Sequence, residues 1–329
     1  MKIGTTDLTS LNRPFLIAEA GSSHGGNQEI AIKMVQAAIN AGADAITFQE
    51  IFENKLYTSL EQLPVAEQPR IGWDCLEECN RLAKTNGLYF SVCVTDLDSL
   101  EKAITIGIDF IKIVSYDITF LPFLEECGKK NLPILMSTGA STLEEIKCAI
   151  KTLNLKKNLL LYHTDCGYPT NPEEVNLKRM LNLRKTFKIP VGYCDHTSST
   201  HSCIAATVLG AEVIEKHFIL NKKSKYVDYE VALEPEILKK LFSNIKITAK
   251  LIGDGNFNIP KGDLFRRKNL RRSIALNCDL NANTIIKEEH LTMLRPPVGL
   301  AWEQRSLVIG KKTKKSLKKR QIINLNHII

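Results

Sequence analysis

Eight short apolar runs recur in the chain up to residue 218, and helix-like stretches separate nearly all of them. Such an eightfold alternation of strand and helix is typical of a (β/α)8 barrel, in which parallel strands close into a cylinder inside a ring of helices. The sequence therefore predicts an α/β TIM barrel whose active site lies where the strands end. The predicted strands are 15–19, 45–49, 88–92, 110–113, 134–137, 159–163, 190–193 and 213–218.

A second, smaller module is predicted after residue 252. Residues 253–262 are rich in turn-forming residues and show no apolar periodicity, which indicates an interdomain linker over residues 253–268. Short β-like pieces separated by turns follow, so residues 269–329 are expected to form a small β-rich domain. The barrel would then occupy residues 1–252.

Composition excludes several classes of protein. No apolar run approaches the roughly 20 residues that span a bilayer, and no export signal opens the chain, so a cytoplasmic location is expected. The nine cysteines are scattered without a C-x-x-C pair and are expected to be reduced thiols. Residues 256–329 hold 16 Lys and Arg against 5 Asp and Glu. Such a basic segment can bind nucleic acid, but its ordered apolar pattern favours a folded domain that faces an anionic substrate, with no nucleic-acid or membrane partner.

Two histidines follow neighbouring predicted strands. His196 comes after the seventh strand and His217 ends the eighth. Adjacent strands of a sheet lie under about 5 Å apart, so the two imidazoles could share one divalent cation. Carboxylates could complete the metal site or orient the rings. The candidates for that role are Glu19, Asp195, Glu215 and Asp228.

A lysine in the fourth predicted strand is a candidate for binding an anion. The side chain of Lys112 must end in the barrel or its mouth, where an unpaired ammonium would be costly. A phosphate or carboxylate of the substrate is the expected partner, and a Schiff base at this lysine is the competing interpretation. Ser115 and Ser137 lie after the same and the next strand, where they offer hydroxyl donors suited to phosphate.

Six motifs follow one another along the barrel, at residues 17–26, 41–49, 135–139, 168–177, 192–197 and 215–218. In this order they resemble motifs of the sialic acid (N-acetylneuraminate) synthases and of their relatives that make legionaminic and pseudaminic acids. The segments 271–273, 294–296 and 308–311 are similar to the antifreeze-like SAF domain of that family. The resemblance covers nearly the whole chain, and it implies a TIM barrel followed by a SAF domain.

The resemblance implies a condensation of phosphoenolpyruvate with an open-chain 2-acetamido sugar, such as N-acetylmannosamine, with release of phosphate. His196 and His217 would bind the manganese or magnesium ion that polarises the sugar aldehyde. Glu19 matches an active-site carboxylate of the family and would transfer a proton, so Glu19, His196 and His217 are the expected catalytic residues.

The resemblance also implies which residues bind the substrates. The expected set is Lys112, Ser115, Ser137, Tyr168, Glu215, Asp228 and Arg295. The first three would hold the phosphate, Tyr168 would contact the carboxylate end, and Asp228 would bind sugar hydroxyls. Arg295 would reach the sugar from the partner subunit, because family dimers place each SAF domain over the other barrel. A domain-swapped homodimer is therefore expected.

The chain departs from the family pattern where phosphate would bind. Thr47 replaces a lysine of the second-strand motif, Val92 lies in the altered third-strand motif, and Cys166 replaces an asparagine. Each lost charged contact to a phosphate could cost about 1.5–3 kcal/mol. Lys55 is a possible substitute for the missing lysine. Two alternatives therefore stay open: a metal-dependent sugar aldolase or lyase of the same barrel type, and a non-catalytic sugar-binding paralogue.

Overall fold

The fold is that of a computed structural model, which describes residues 1–58, 68–154 and 158–329 of the 329-residue chain. These residues form two compact units, Met1–Gly253 and Asp254–Ile329. Within them, no helix combines the length and the apolar character needed to cross a bilayer.

The first unit contains eight parallel strands, each within two residues of its predicted position, so the predicted barrel is confirmed. A short antiparallel hairpin of β1 (Lys2–Ile3) and β2 (Thr6–Asp7) precedes them. The parallel strands are β3 (Phe15–Gly21), β4 (Ala45–Gln49), β5 (Tyr89–Cys93), β6 (Ile111–Ile113), β7 (Ile134–Ser137), β8 (Leu159–His163), β9 (Val191–Asp195) and β10 (Val213–His217). Their order in the sheet is β5–β4–β3–β10–β9–β8–β7–β6. The backbone N–H of Asp109 donates to the Phe90 carbonyl at 2.8 Å beside the two end strands, so the cylinder is nearly closed.

Helices follow the strands in turn and are specified by local signals. They are α1 (Gln28–Ala41), α2 (Trp73–Thr85), α3 (Leu97–Thr105), α4 (Leu121–Lys129), α5 (Leu143–Leu153), α6 (Lys178–Phe187), α7 (His201–Val208) and α8 (Pro235–Ile252). Asn27 caps α1 by accepting a hydrogen bond from the Ile30 N–H, and Gly42 ends the helix at a φ of 74°, which a glycine adopts without strain. Thr142 and Glu145 form a reciprocal capping box at the start of α5.

The barrel interior changes from apolar to polar along the strands. Successive side chains of a strand point to opposite faces, so alternate residues line the interior. At the end where the strands begin, the interior is apolar, and the hairpin residue Ile3 packs against Phe15, Leu160 and Val213. The next inward positions toward the carboxyl ends are polar and buried, and they include Glu19, Thr47, Lys112, Ser137 and Glu215. The alternation thus collects chemically active side chains at one mouth.

The second unit is small and β-rich, as predicted. Strands β11 (Ser273–Leu276) and β12 (Leu291–Leu294) pair antiparallel, and isolated bridges join segments such as Leu280 and Leu317 around an apolar core. One element was not predicted: within the expected linker 253–268, the residues from 261 onward form helix α9 (Lys261–Leu270). None of its residues is buried, so no apolar face reveals this helix in the sequence.

Candidate active site at the barrel mouth

Two buried carboxylates and one ammonium form a cluster in the barrel mouth. Lys112 Nζ donates to Glu19 Oε2 at 2.5 Å and to Glu215 Oε1. Thr47 Oγ1 also donates to Glu19 Oε2, at 2.5 Å. Glu19 and Glu215 are fully buried and Lys112 is 4% exposed, so the cluster is shielded from solvent. The net charge of this cluster is therefore set by which of the three side chains, Glu19, Lys112 and Glu215, carry a proton.

The two carboxylates of the cluster have different proton affinities. Burial raises the pKa of Glu19 to about 7, against an ordinary 4.5. The pKa of Glu215 lies below its ordinary value despite burial, because Lys112, Cys194 and Tyr162 favour its charged form. The two carboxylates also raise the pKa of Lys112 well above its usual value. At neutral pH the cluster thus holds one ammonium, one carboxylate and one carboxyl group, Glu19, that readily gains or loses a proton.

Lys112 is held by two protein carboxylates, Glu19 and Glu215, which the sequence did not predict as its partners. A substrate anion as a further partner stays a prediction. The same contacts oppose a Schiff base, because a nucleophilic lysine must be deprotonated and the pKa of Lys112 is raised. Lys55 does not replace the lysine missing at Thr47, because it pairs with Asp96 at 2.7 Å and Asp98 at 3.0 Å.

The raised pKa of Glu19 predicts a pH dependence of stability. Between about pH 4.5 and 7 the folded protein holds a proton on Glu19 that the unfolded chain releases. This contribution to the free energy of unfolding is complete below pH 4.5 and is lost as the pH rises through 7. Denaturant unfolding across this range should show the decline in the wild type and a smaller one in Glu19→Gln. The control is replacement of the exposed Glu29 by Gln, which should show the same decline as the wild type. A decline in Glu19→Gln equal to that of the wild type would contradict the raised pKa of Glu19.

The two candidate metal-binding histidines lie side by side. The ring centroids of His196 and His217 are 5.3 Å apart. His196 Nδ1 lies 2.5 Å from the Asp165 carbonyl oxygen, to which it donates, so Nε2 carries the lone pair and accepts from the Tyr168 hydroxyl at 2.9 Å. Tyr168 also stacks on the His196 ring at a centroid distance of 4.1 Å. The Nε2 lone pair of the neutral His196 ring therefore points toward the Tyr168 hydroxyl.

His217 lies beside Asp228 in a buried setting. Its Nδ1 is 3.4 Å from Asp228 Oδ2 and makes no hydrogen bond within the residues described. Asp228 has a φ of 65°, in the left-handed region that costs a non-glycine residue free energy and that is common at functional sites. Burial lowers the pKa of His217 well below its usual value and lowers that of His196 to about 4. Both rings are therefore neutral at pH 7, as metal ligands must be.

The chemistry of these donors suits a divalent ion, although fewer carboxylates are available than expected. A metal–nitrogen bond of about 2.1 Å puts a ring centre roughly 3 Å from the ion, so rings 5.3 Å apart can reach one ion. The Asp195 side chain lies on the outer face of the sheet, because it alternates with the inward Cys194 and His196, and this excludes it as a ligand. In the described ranges, no three or more His, Cys, Asp and Glu side chains already converge as a metal site.

A group of small polar side chains lies after β6 and β7. Ser115 Oγ accepts a hydrogen bond from the Gly139 N–H at 3.1 Å. A Cβ atom at Gly139 would approach both Ser115 Oγ and Cys166 Sγ to 2.8 Å, so a larger residue there would displace these side chains. Ser137 is 4% exposed at the end of β7. The structure thus brings the predicted phosphate residues Ser115 and Ser137 to one mouth with Lys112.

One residue that contacts both the carboxylate cluster and the histidine pair, Cys194, was not identified from the sequence as part of the site. Cys194 donates to Glu215 Oε1 at 3.2 Å and lies 3.4 Å from His196 Nε2, and it therefore links the carboxylate cluster to the histidine pair. The alternation of side chains along β9 could have shown that Cys194 points inward.

The structure places Arg295, the residue expected to reach the sugar, directly after β12 in the second unit.

Comparison with known proteins yields a consistent set of relatives. Residues 34–257 match the NeuB family, and residues 271–329 match the SAF domain. The N,N'-diacetyllegionaminic acid synthase of Legionella pneumophila is 33% identical over 95% of this chain and 94% of its own length. The enzyme of the same name from Campylobacter jejuni is 33% identical over 95% of this chain and 99% of its own length.

A solved structure agrees with these relationships. The N-acetylneuraminic acid synthetase of Leptospira borgpetersenii, determined in complex with citrate, has a TM-score of 0.75 and 27% identity. The similarity covers 81% of this chain and 94% of that chain. The similarity therefore extends from sequence to three-dimensional structure.

Proposed function

Because the chain belongs to the NeuB family, we propose that it condenses phosphoenolpyruvate with an open-chain 2-acetamido sugar and releases phosphate. The product would be a nonulosonic acid. The observation that carries the proposal is a proton-donating and proton-accepting cluster, Glu19–Lys112–Glu215, next to two neutral imidazoles in the mouth of a barrel with synthase relatives. Membership of the family also supports the prediction that the chain is an enzyme.

His196 and His217 are the residues that would hold a divalent ion, Mn²⁺ or Mg²⁺. Their neutral rings leave lone pairs available, and Asp228 lies beside His217 to orient it or to bind a sugar hydroxyl. When bound, such an ion would polarise the aldehyde of the sugar as a Lewis acid. Tyr168, whose hydroxyl contacts His196 Nε2, borders the same space and would contact the substrate there.

Glu19 would handle a proton during the reaction. Carbon–carbon bond formation puts negative charge on the aldehyde oxygen, and addition of water at the former enol carbon releases a proton. A carboxyl group whose pKa is about 7 can serve either as donor or as acceptor at neutral pH. Glu19 Oε1 is buried and has no hydrogen-bond partner among the described residues, so it is available to a substrate. Its other oxygen is fixed by Lys112 and Thr47.

Lys112, Ser115 and Ser137 would bind the phosphate end of phosphoenolpyruvate. The Lys112 ammonium can contact an additional oxygen, and the serine hydroxyls and nearby backbone N–H groups supply further donors. Glu215 would keep Lys112 charged and in place. Binding of an anion is more favourable when Glu19 holds its proton, because the Glu19–Lys112–Glu215 cluster is then neutral and not negatively charged.

A phosphate-release assay tests the proposed function. The protein is mixed with phosphoenolpyruvate, Mn²⁺ and one of a panel of acceptors, including N-acetylmannosamine and a dideoxy diacetamido hexose. The second acceptor is included because two relatives are named N,N'-diacetyllegionaminic acid synthases. The expected result is release of one phosphate per sugar consumed, with at least one acceptor and only with divalent metal. No release with any acceptor would overturn the proposal.

One observation favours a second candidate function. Lys112 is shared between two carboxylates, and Thr47 stands where the family pattern has a second lysine, so the phosphate end has fewer cations than expected. A metal-dependent aldolase or lyase acting on a sugar acid would not need a phosphate site. Metal-dependent cleavage of a nonulosonic acid in the absence of phosphoenolpyruvate and phosphate would identify it.

We also propose that the active unit is a homodimer in which Arg295 serves the partner's barrel. Large apolar side chains in residues 254–270 of the second unit are exposed in the single chain, among them Phe257 at 103% and Phe265 at 73%. Such exposure is uncommon outside an interface.

Mixing two inactive variants tests the shared site. His217→Ala and Arg295→Ala homodimers, each inactive alone, should regain activity when subunits are exchanged. Random exchange would restore about a quarter of the wild-type sites, because half of the dimers are mixed and each mixed dimer has one intact site. The mixture is assayed by phosphate release after dilution from mild denaturant. If the mixture stays inactive although mass spectrometry shows mixed dimers, each site is made by a single chain.

A further inference from the structure

A buried ion pair lies immediately beside the two candidate metal-binding histidines in the sequence. Asp195 precedes His196, and Lys216 precedes His217. Lys216 Nζ lies 2.7 Å from Asp195 Oδ2, and both side chains are fully buried. The two residues are direct partners in the pairing of β9 with β10. Because side chains alternate along a strand, the ion pair faces the helices while the imidazoles face the mouth.

The ion pair also fixes the turn that carries His196. Asp195 Oδ1 accepts hydrogen bonds from the Thr197 N–H at 3.0 Å and from the Tyr193 hydroxyl at 2.9 Å. Lys216 Nζ donates to the Thr197 carbonyl. The residues on both sides of His196 are therefore attached to the strand that ends in His217. Within the described residues, none of the hydrogen bonds of the Asp195 and Lys216 side chains reaches the barrel interior.

Stability alone is a weak reason for such a pair. A buried ion pair loses hydration that its Coulomb attraction only partly restores, and apolar residues of similar size often stabilise a protein as well or better. The surroundings of the pair are the apolar layer between the sheet and the helices, in which Tyr193, Cys203 and Ile214 are buried. An apolar pair could not make the hydrogen bonds that Asp195 and Lys216 form with the backbone of Thr197.

We propose that the Lys216–Asp195 ion pair positions His196 relative to His217, and so sets the geometry of the divalent-ion site. The two residues are positioning residues, since neither touches the mouth. The part of this inference that concerns metal rests on the proposed function. The part that concerns the His196 turn stands on the hydrogen bonds alone.

The test replaces the pair with neutral residues of similar shape. In Asp195→Asn/Lys216→Met the amide oxygen can still accept from Thr197 N–H and Tyr193, but the connection to β10 is lost. The matched control is Arg13→Met/Asp44→Asn, because Arg13 and Asp44 also form an ion pair, with N–O distances of 2.6 and 2.7 Å, and Asp44 also accepts from a backbone N–H, that of Leu16. This control pair lies where β3 and β4 begin, far along the strands from the histidines.

Two measurements on the metal-free protein decide the outcome. Amide hydrogen exchange of residues 196–200 should accelerate at least about tenfold in the Asp195→Asn/Lys216→Met variant, and the dissociation constant for Mn²⁺ should rise about 10- to 100-fold, as for other residues that orient metal ligands. The control should change neither. Wild-type exchange and wild-type Mn²⁺ affinity in the variant would overturn the inference. If the wild type itself binds no Mn²⁺, the proposed metal site fails, and the exchange data still decide whether the pair fixes the turn.

A milder variant covers the case in which the double variant does not fold. Thr197→Val keeps the ion pair and the backbone but removes a hydroxyl that contacts Asp195 Oδ2 at 3.3 Å and accepts from the Ser199 N–H at 3.3 Å. Exchange in residues 196–200 and the Mn²⁺ dissociation constant should then increase by a smaller factor, about threefold. Unchanged values for both in a folded Thr197→Val protein would count against the inference.

Discussion

Replacement of Lys112 by methionine is expected to abolish phosphate release and to lower the free energy of unfolding by about 3–5 kcal/mol at pH 7. The reason is that the Glu215 carboxylate, and Glu19 whenever it is ionised, would then be buried without a cation. Protonation would remove this uncompensated charge, so the loss of stability should shrink as the pH falls toward 5. Urea unfolding at several pH values measures this effect, and the phosphate assay measures turnover.

The control for this experiment is Lys55→Met. Lys55 also pairs with two carboxylates, those of Asp96 and Asp98, but its side chain is 35% exposed. Exposed pairs contribute about 1 kcal/mol or less, so this variant should remain stable and active. A Lys112→Met protein as stable as the Lys55→Met protein would show that the cluster is not the charged unit described here.

Replacement of His217 by alanine is expected to remove binding of divalent metal and all metal-dependent turnover. One imidazole and few free carboxylates would remain, because Asp195 faces outward and Glu19 and Glu215 contact Lys112. Mn²⁺ titration followed by electron paramagnetic resonance measures the stoichiometry directly. The fold should survive, since the substitution removes a side chain at the mouth and does not strand a charge.

The exposed His201 provides the matched control for this variant. His201→Ala should bind the same number of Mn²⁺ ions as the wild type and should turn over at the same rate. An unchanged Mn²⁺ stoichiometry in His217→Ala would reject the assignment of His217 as a ligand.

The strands could be read from the sequence because the physics of a barrel leaves few alternatives. A parallel strand covered on both faces must be an apolar run, and eight such runs between helices have one common arrangement. The apolar runs 134–137 and 159–163 coincide with β7 and β8. Side chains alternate between the two faces of each strand, and this explains why Glu19, Lys112 and Glu215 lie at one mouth, as expected.

Contacts between side chains were harder to predict than their location. The sequence places Lys112 in the mouth, but its contacts with Glu19 and Glu215 depend on distances of about 3 Å or less that no residue pattern encodes. Of the two roles considered for Asp195, metal ligand and orienting residue, the structure excludes the first, because adjacent residues of a strand face opposite sides and Asp195 points away from the mouth. Helix α9 was missed because it buries nothing and so leaves no apolar period.

The departures at Thr47 and Cys166 acquire a physical meaning in the structure. Thr47 donates to Glu19, so a neutral hydroxyl stands where a second ammonium would hold Glu19 ionised. Cys166 lies near Gly139 and Ser115, at the edge of the proposed phosphate site. Both changes lower the positive charge or the hydrogen-bonding capacity available to an anion, which makes affinity for phosphoenolpyruvate the quantity most sensitive to these positions.

The location of manganese in a crystal of the protein tests the account most directly. An anomalous difference map recorded at the manganese absorption edge should show one peak in the barrel mouth, within bonding distance of both His196 and His217. Soaking with phosphoenolpyruvate should then add density beside Lys112 and Ser115. A mouth without a peak at saturating Mn²⁺, or a peak bound by neither imidazole, would contradict it.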